Sequence, residues 1–309
     1  MMQRVAWGRA ETMGIGATLP LSGEGGTAPS WAQIRAFAEA ADVDGGLDSL
    51  WVYDHLLFRF PDEPDGAIHE AWTVLSALAV ATRRVELGAL VMCTSFRNAG
   101  LMAKMAAAAD EISGGRLVLG LGAGWHEPEY RAFGYPFDRL ASRFEESIGI
   151  TVPLLRGDRV DVAGTSSSAS DALLLPPPAR PGGPPILIAG KRPRMLRLTA
   201  RYADAYNTAW YARPNERLTE SRAALVAACE AEGRDPAEIA FTVGVTVSFG
   251  EPDPEIPAER QLVGDETVIA DGLRAFRDVG VDHVMCALDG KSPESVARLV
   301  EAASRVRAG

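Results

Sequence analysis

Eight short apolar runs recur along the chain from Met13, and each is followed by a loop and an amphipathic stretch long enough for a helix. A chain that alternates in this way builds βα units around a parallel sheet. Eight such units without a break favour a closed barrel over an open doubly wound sheet, so the sequence predicts an α/β protein with a (β/α)₈ TIM barrel. The predicted strands span residues 14–19, 49–53, 85–92, 116–122, 185–189, 204–208, 238–247 and 282–288.

The length of the chain predicts where the barrel is extended. An ideal barrel needs roughly 250 residues, and this chain has 309. Much of the excess lies in residues 157–185, GDRVDVAGTSSSASDALLLPPPARPGGPP, between the fourth predicted helix (DRLASRFEESIGITVPLL) and the fifth strand. We interpret this Gly-, Ser- and Pro-rich segment as an insertion and a lid. Residues 1–12 are expected to form an N-terminal extension, and residues 13–309 a single barrel domain.

Charge and cysteine content limit the classes of partner. A formal net charge of −10 and a pI near 5.0 disfavour a nucleic-acid surface. Cys93, Cys229 and Cys286 are widely spaced, which indicates neither a disulfide framework nor a zinc site and favours the reducing cytoplasm. The apolar run AWTVLSALAVA is too short to cross a bilayer. We therefore expect a cytoplasmic protein that acts on a small molecule and binds neither nucleic acid nor a membrane.

The carboxyl ends of the barrel strands are where a TIM barrel places its chemistry. Asp54 and His55 follow the second predicted strand directly. An imidazole there can move a proton near neutral pH, and a neighbouring carboxylate can set its tautomer and hold it charged. The alternative is a structural pair at the start of a loop. Cys93 and Thr94 occupy the corresponding position after the third strand.

The segment LGLGAGWHEPEY, residues 119–130, raises the question of a dinucleotide-binding turn. The spacing fails the G-x-G-x-x-G fingerprint, and the segment does not follow the first strand of the fold. Gly122 and Gly124, with Ala123 between them, nevertheless let a flat ligand approach the backbone, and Trp125 is placed to wall a pocket. A tight turn with Trp125 packed on the next helix is the alternative.

A second candidate region follows strands five and six. Ala189, Gly190, Lys191 and Arg192 lead into a helix, where free backbone N–H groups and two cations form an anion site. An ordinary turn with solvated basic side chains is the alternative. Asn207 and Thr208 follow strand six and can add hydrogen bonds to a phosphate or a ring. No H-x-H or H-x-x-x-H spacing occurs, so no metal site is predicted.

Several of these segments together resemble a known family. They are SLWVYDH, the block RVELGALVMCTSFRNAGLMAKMAAAADEISGGRLVLGLGAGWHEPEYRAFGYPF, PPILIAGKRPRMLRLTARYADAYNT and GDETVIADGLRAFRDVGVDHV. From about Met13 to Ala303 the chain resembles the luciferase-like monooxygenases, (β/α)₈ proteins that use FMN or coenzyme F420. It is most similar to the F420-dependent oxidoreductases of actinobacteria, because Asp54-His55 matches their motif after strand two.

The resemblance implies roles for the candidate residues. His55 would be the acid or base that handles a proton near the reacting ring carbon, oriented or charged by Asp54. A non-proline cis peptide would lie within residues 92–94 and support the cofactor ring. The cofactor contacts implied are Asp54, Cys93, Thr94, Gly122, Ala123, Gly124, Trp125, Ala189, Gly190, Lys191, Arg192, Asn207 and Thr208.

The function that the resemblance implies is hydride transfer between coenzyme F420 (8-hydroxy-5-deazaflavin) and a small organic substrate. An FMN-dependent monooxygenase with a partner reductase, and a flavin- or deazaflavin-binding protein without turnover, are the alternatives. Two departures bear on the site: Lys191 and Arg192 stand where many relatives carry small residues, and residues 157–185 lack the aromatic residues of many lids. A homodimer through the Ala-rich helix at 101–112 is also expected.

Overall fold

The computed structural model describes residues 13–23 and 26–309, so the predicted N-terminal extension lies outside the described residues. Eight parallel strands close into a barrel, and the predicted TIM barrel is confirmed. The strands follow chain order around the barrel, and the last one pairs with the first. They are β1 Gly14–Thr18, β2 Ser49–Val52, β3 Glu86–Ala89, β4 Leu117–Gly122, β5 Ile186–Ala189, β6 Ala205–Thr208, β7 Ala240–Ser248 and β8 His283–Leu288.

Two pairings decide that the sheet closes. Strand β1 pairs in parallel with both β2 and β8, with Gly14 opposite His283 and Gly16 opposite Ser49. Strand β4 pairs with β5, with Gly120 opposite Leu187. Because all eight strands are parallel, their carboxyl ends meet at one mouth of the barrel.

The helices cover the outside of the barrel and bury one apolar face each against the strands. Their starts are fixed by side chains such as Ser30, Asn98, Asn215 and Ser292, which accept a backbone N–H of the first turn. They are α1 Trp31–Ala41, α2 Ala71–Ala81, α3 Ala99–Ser113, α4 Glu127–Phe133, α5 Leu140–Arg156, α6 Pro193–Tyr202, α7 Glu216–Ala231, α8 Glu266–Asp278 and α9 Pro293–Ala308.

Strand three differs from its predicted bounds. It ends at Ala89 rather than at residue 92, and a non-proline cis peptide joins Leu90 to Val91. The chain then forms a second short strand, Met92–Cys93, that pairs with the end of β4. The expected cis peptide is therefore present, but its predicted position within residues 92–94 is wrong. A second non-proline cis peptide, Ala209–Trp210, follows β6 and was not predicted.

Residues 157–185 contain an antiparallel hairpin of Val160–Ala163 and Ser168–Ala172. Its turn is tied to α5, because the Glu146 carboxylate accepts the backbone N–H groups of Ser166 and Ser167 at 2.7 and 2.9 Å. Hydrogen bonds from the Ser166 hydroxyl and backbone lower the pKa of Glu146 to about 2. A lid function for this segment stays a prediction.

The outer surface shows two further features. Within the described chain, no helix combines the length and the apolar character that crossing a membrane requires. On α3, Leu101 and Ile112 are exposed on the surface where a homodimer contact is predicted. Whether that surface pairs with a second copy stays a prediction.

The amino end of the barrel is closed by a buried polar network. His283 Nε2 lies 2.7 Å from the Ser49 hydroxyl, which also accepts the indole N–H of Trp51 at 2.7 Å. Burial lowers the pKa of His283 to about 4. His283 therefore belongs to the structural end of the barrel, away from the mouth, as the sequence predicted from its early position in the last strand.

The neutral state of His283 predicts a pH-dependent stability. Its folded-state pKa lies below the value of about 6.5 for an unfolded chain, so its contribution is complete above pH 6.5 and is lost as the pH falls toward 4. A shift of this size corresponds to roughly 3 kcal/mol. Urea unfolding between pH 7 and 4 is expected to show a smaller loss of unfolding free energy in His283→Gln than in the wild type. Equal losses in both proteins would contradict this assignment.

Candidate active site

His55 and Glu129 form a contact across the mouth of the barrel. His55 follows β2, Glu129 lies in the first turn of α4, and His55 Nδ1 is 2.9 Å from Glu129 Oε1. The other carboxylate oxygen, Oε2, accepts the backbone N–H of Leu56 at 2.7 Å. Glu129 is 1% exposed, so both of its oxygens are engaged within the protein. The pair is held from two directions and fixes the plane of the imidazole.

The contact assigns the His55 tautomer. An ionised carboxylate only accepts hydrogen bonds, so Nδ1 carries the proton that points at Glu129. The second ring nitrogen, Nε2, has no hydrogen-bond partner among residues 13–23 and 26–309. It is therefore the atom of His55 that can accept a proton from a ligand or return one, while Glu129 stabilises the charged ring.

Asp54 does not contact the His55 ring, and the expectation that it orients His55 is wrong. Its carboxylate accepts the backbone N–H of Cys93 at 2.8 Å and two hydrogen bonds from the Arg97 guanidinium. Arg97 also donates to Glu70, the N-terminal cap of α2, at 2.6 Å. Successive residues of an extended chain point to opposite sides, which explains why neighbouring Asp54 and His55 serve different partners.

Aromatic rings surround His55 on the outer side. The Phe58 ring centre lies 4.5 Å from that of His55, and the Trp125 ring meets His55 edge-on at 5.6 Å. Phe60 and Trp125 lie nearly parallel, 6.5 Å apart, with Trp125 60% exposed. Trp125 is therefore not stapled into a core, and its face is open to a ligand. These rings, Phe58, Phe60 and Trp125, are called the aromatic wall below.

His126 lies within this wall but has a structural partner. Its Nε2 accepts the backbone N–H of Arg59 at 3.0 Å, so this nitrogen carries no proton. Burial lowers the pKa of His126, and the positive charge of a protonated His55 lowers it further, against the opposing effect of Glu129. A neutral His126 holds the loop that carries Phe58 and Phe60 against the loop after β4.

The glycine-rich loop after β4 is shaped by the protein's own side chains. A Cβ on Gly122 would collide with the Val91 side chain, and one on Gly124 would meet the Tyr130 hydroxyl and lie 2.8 Å from Cys93 Sγ. The glycines thus make room for these neighbours, which the sequence interpretation of a flat ligand on the backbone did not anticipate. The cofactor contact at Gly122, Ala123 and Gly124 stays a prediction.

Cys93, Tyr130 and Ala123 form a buried chain of hydrogen bonds. The Tyr130 hydroxyl donates to the Ala123 carbonyl at 3.0 Å and lies 2.9 Å from Cys93 Sγ. Burial raises the pKa of the Cys93 thiol to about 11, so the thiol is protonated near neutral pH and donates to Tyr130. Thr94 next to it donates to the Gly122 carbonyl at 3.3 Å. Cys93 and Thr94 therefore brace the loop that carries Trp125.

The predicted anion site lies on the opposite side of the mouth. Ala189 ends β5, Gly190 packs against Met195, and Lys191 and Arg192 are exposed at the start of α6. No side chain caps the first turn of α6. The structure thus leaves the backbone and the two cations available here, as the sequence predicted.

Asn207 and Thr208 at the end of β6 already have protein partners. Asn207 Nδ2 donates to the Thr242 hydroxyl at 2.9 Å, and the Thr208 hydroxyl lies 2.9 Å from that of Tyr211. Both residues are buried. They brace the interior of the barrel near its mouth, and a direct contact with a ligand stays a prediction.

Sequence reasoning missed the partners that complete the site. Glu129 and Arg97 each reach a residue on β2's loop from another βα unit, and Tyr130, Phe58 and Phe60 lie on loops without a recognised motif. The one available signal was the GWHEPEY segment, in which Glu129 opens a helix at the same mouth as His55. No group of His, Cys, Asp and Glu that could hold a metal ion occurs in the described part of the chain.

Comparison with known proteins places these features in context. A family model described as luciferase-like monooxygenase matches residues 13–261. A phthiodiolone/phenolphthiodiolone dimycocerosates ketoreductase of Mycobacterium kansasii is 31% identical over 280 residues, which cover 84% of this chain and 75% of the relative.

Solved structures share the fold. An F420-dependent secondary alcohol dehydrogenase in complex with an F420-acetone adduct aligns with a TM-score of 0.78 and 18% identity, covering 96% of this chain and 99% of its own. A riboflavin lyase with modified FMN and riboflavin aligns with a TM-score of 0.76 and 15% identity, covering 96% and 92%.

The Gly124 contacts predict an unequal cost for two glycine substitutions. Gly124 and Gly134 both have a left-handed backbone, but only Gly124 has neighbours where a Cβ would lie. Gly134→Ala is expected to lower the unfolding free energy by about 1 kcal/mol. Gly124→Ala is expected to cost about 2 kcal/mol more, since Tyr130 must move and lose its hydrogen bonds. Denaturant unfolding measures both; equal losses would show that Tyr130 does not hold this loop.

Proposed function

We propose, from the premise that the chain belongs to the luciferase-like monooxygenase family, that it transfers a hydride between coenzyme F420 and a small organic alcohol or carbonyl compound. The observation that carries this proposal is the His55–Glu129 pair at the barrel mouth, with His55 Nε2 free of protein partners. A protein that only binds a cofactor needs no such oriented proton-transfer group.

The residues at the mouth fit a flat tricyclic ring with a charged tail. Leu90 and Val91, on either side of the cis peptide, are partly exposed where they pack against the buried core residues of the barrel. They offer an apolar surface for a ring, with His55 on one side of the mouth. Lys191 and Arg192 lie across from it and would hold a phosphate, together with the backbone of Ala189 and Gly190.

The chemistry then divides between the cofactor and the protein. When bound, coenzyme F420 supplies or accepts a hydride at one ring carbon, while the protein orients the substrate and handles the proton. His55 Nε2 takes the hydroxyl proton when an alcohol is oxidised and returns it to the carbonyl oxygen in the reverse direction. Glu129 keeps Nδ1 protonated throughout, so that the unpaired nitrogen always faces the substrate.

Two relatives suggest the substrate class. The Mycobacterium kansasii relative is a ketoreductase, and the fold is shared with a secondary alcohol dehydrogenase. Both names describe the interconversion of an alcohol and a ketone. The aromatic wall beside His55 favours a substrate with an apolar body, because Trp125 and Phe60 offer exposed ring faces.

The alternative is an FMN-dependent monooxygenase supplied by a partner reductase, and the shared fold with a riboflavin lyase bearing modified FMN supports it. Hydride transfer is preferred because the oriented His55–Glu129 pair serves proton transfer coupled to an alcohol or carbonyl. The third possibility, a binding protein without turnover, gives the pair no task.

The proposal predicts that two substitutions abolish turnover but keep cofactor binding. His55→Ala removes the proton acceptor, and Glu129→Gln removes the charge that fixes its tautomer; each is expected to lower kcat by about 100-fold or more. Glu127→Gln on the same helix, an exposed carboxylate paired with Arg131, is the matched control. Bleaching of F420 absorbance with a panel of secondary alcohols measures turnover, and fluorescence titration measures binding.

The pattern of losses decides between the readings. Loss of turnover with binding kept, in both variants and not in Glu127→Gln, supports the proposal. Turnover that survives in His55→Ala would remove His55 from the reaction. Tight binding of F420 by the wild type without hydride transfer to any alcohol or ketone would favour a carrier.

A further inference from the structure

Three cations at the barrel mouth differ from most other arginines of the protein. Most arginines of the described chain form an ion pair with a carboxylate. Lys191, Arg217 and Arg260 form no ion pair with any carboxylate of residues 13–23 and 26–309. They follow strands β5, β6 and β7 respectively, so they lie on neighbouring loops of one rim. These three residues are called the cation cluster.

The loop after β6 brings the cluster together. Lys191 Nζ lies 3.4 Å from the Ala209 carbonyl oxygen, and the Arg217 guanidinium donates to the carbonyl of the next residue, Trp210. Arg217 also lies over the Tyr211 ring, 4.1 Å from its centre. These contacts hold both cations against one turn of backbone at the end of β6.

Arg260 is joined to the same loop through the backbone. The N–H of Ala212 donates to the Glu259 carbonyl at 2.9 Å, which fixes residue 260 beside the loop that Lys191 and Arg217 contact. Glu259 and Glu216, the carboxylates adjacent in sequence to Arg260 and Arg217, pair with none of the three cations. The positive charges are therefore gathered without a neutralising group from this part of the chain.

The charge of the cluster is felt by its own members. Burial lowers the pKa of Lys191, and the nearby positive charges of Arg217 and Arg260 lower it further. This repulsion occurs in a protein of net charge −10, where carboxylates outnumber cations overall. Like charges held together by the fold are stabilised when an anion enters between them.

We propose that Lys191, Arg217 and Arg260 form a binding site for a ligand group with more than one negative charge, such as a phosphate with a carboxylate chain. A single phosphate at the start of α6 needs only the backbone and the basic residues there. Arg217 and Arg260 extend the positive surface past that point, over the ends of β6 and β7. The site thus fits an extended anionic group rather than one compact charge.

Two sources can supply such a group. One is the phosphate and acidic tail of the cofactor, and this source rests on the proposed function. The other is an anionic substituent on the substrate. Both present the same chemistry to the cation cluster, so the experiment separates them by the molecule that carries the charge.

The cofactor arm compares coenzyme F420 with its deazaflavin core that lacks the phosphate and tail. Fluorescence titration of the full-length protein at low ionic strength is expected to give at least tenfold tighter binding of F420, about 1.4 kcal/mol. Arg260→Gln and the double variant Arg217→Gln/Arg260→Gln are expected to reduce this ratio stepwise. Arg305→Gln on α9, which loses the same charge at an exposed ion pair, is expected to keep it.

The substrate arm uses inorganic pyrophosphate as the probe. Calorimetric titration of the F420-saturated protein detects whether the cluster accepts a further anion beside the bound cofactor. Binding that disappears in Arg260→Gln but persists in Arg305→Gln assigns the cluster to the substrate. A tail-dependent ratio that collapses in the cluster variants, with no pyrophosphate binding to the saturated protein, assigns it to the cofactor.

Two results would overturn different statements. If the F420 ratio and pyrophosphate binding are the same in wild type and in the cluster variants, the cation cluster is not an anion site. If neither F420 nor its core binds the wild type, the proposed function fails instead. Pyrophosphate titration of the cofactor-free wild type and Arg260→Gln then still tests the cluster, with loss of binding in the variant as the expected result.

Discussion

Closure of the parallel barrel is the constraint from which the candidate site follows. Strand β1 pairs with both β2 and β8, so the first and last units of the chain become neighbours. At the amino end, the close approach of strands is possible because Gly14 and Gly16 leave room for His283 and Ser49. At the carboxyl end, the same closure gathers eight loops around one mouth, where His55 and the cation cluster lie on different sides.

Within that mouth, hydrogen bonds between βα units decide which residue does what. Glu129 reaches His55 from the helix after β4, whereas Asp54 turns to Arg97 and to the backbone of Cys93. One network therefore orients the proton-transfer group, and the other holds the segment after the cis peptide. Adjacent residues in the Asp54-His55 motif have separate tasks, which no inspection of the motif alone reveals.

The sequence predicted the barrel well because periodicity and strand length are local properties. It predicted His55, Trp125 and Lys191 at the mouth because parallel strands place their carboxyl ends together. It misassigned the partner of His55 because Glu129 is 74 residues away and meets it only through side-chain geometry. The position of the cis peptide failed for the same reason, since the strand after Ala89 is interrupted where its pairing with β4 restarts at Met92.

The central claim is that this mouth holds a deazaflavin and moves a hydride. Parallel calorimetric titration of the cofactor-free protein with coenzyme F420 and with FMN tests it most directly. The account predicts that F420 binds more tightly, because the apolar ring surface at Leu90 and Val91 serves both molecules while Lys191, Arg217 and Arg260 favour the more highly charged tail. Tighter binding of FMN would contradict the account and favour the monooxygenase alternative.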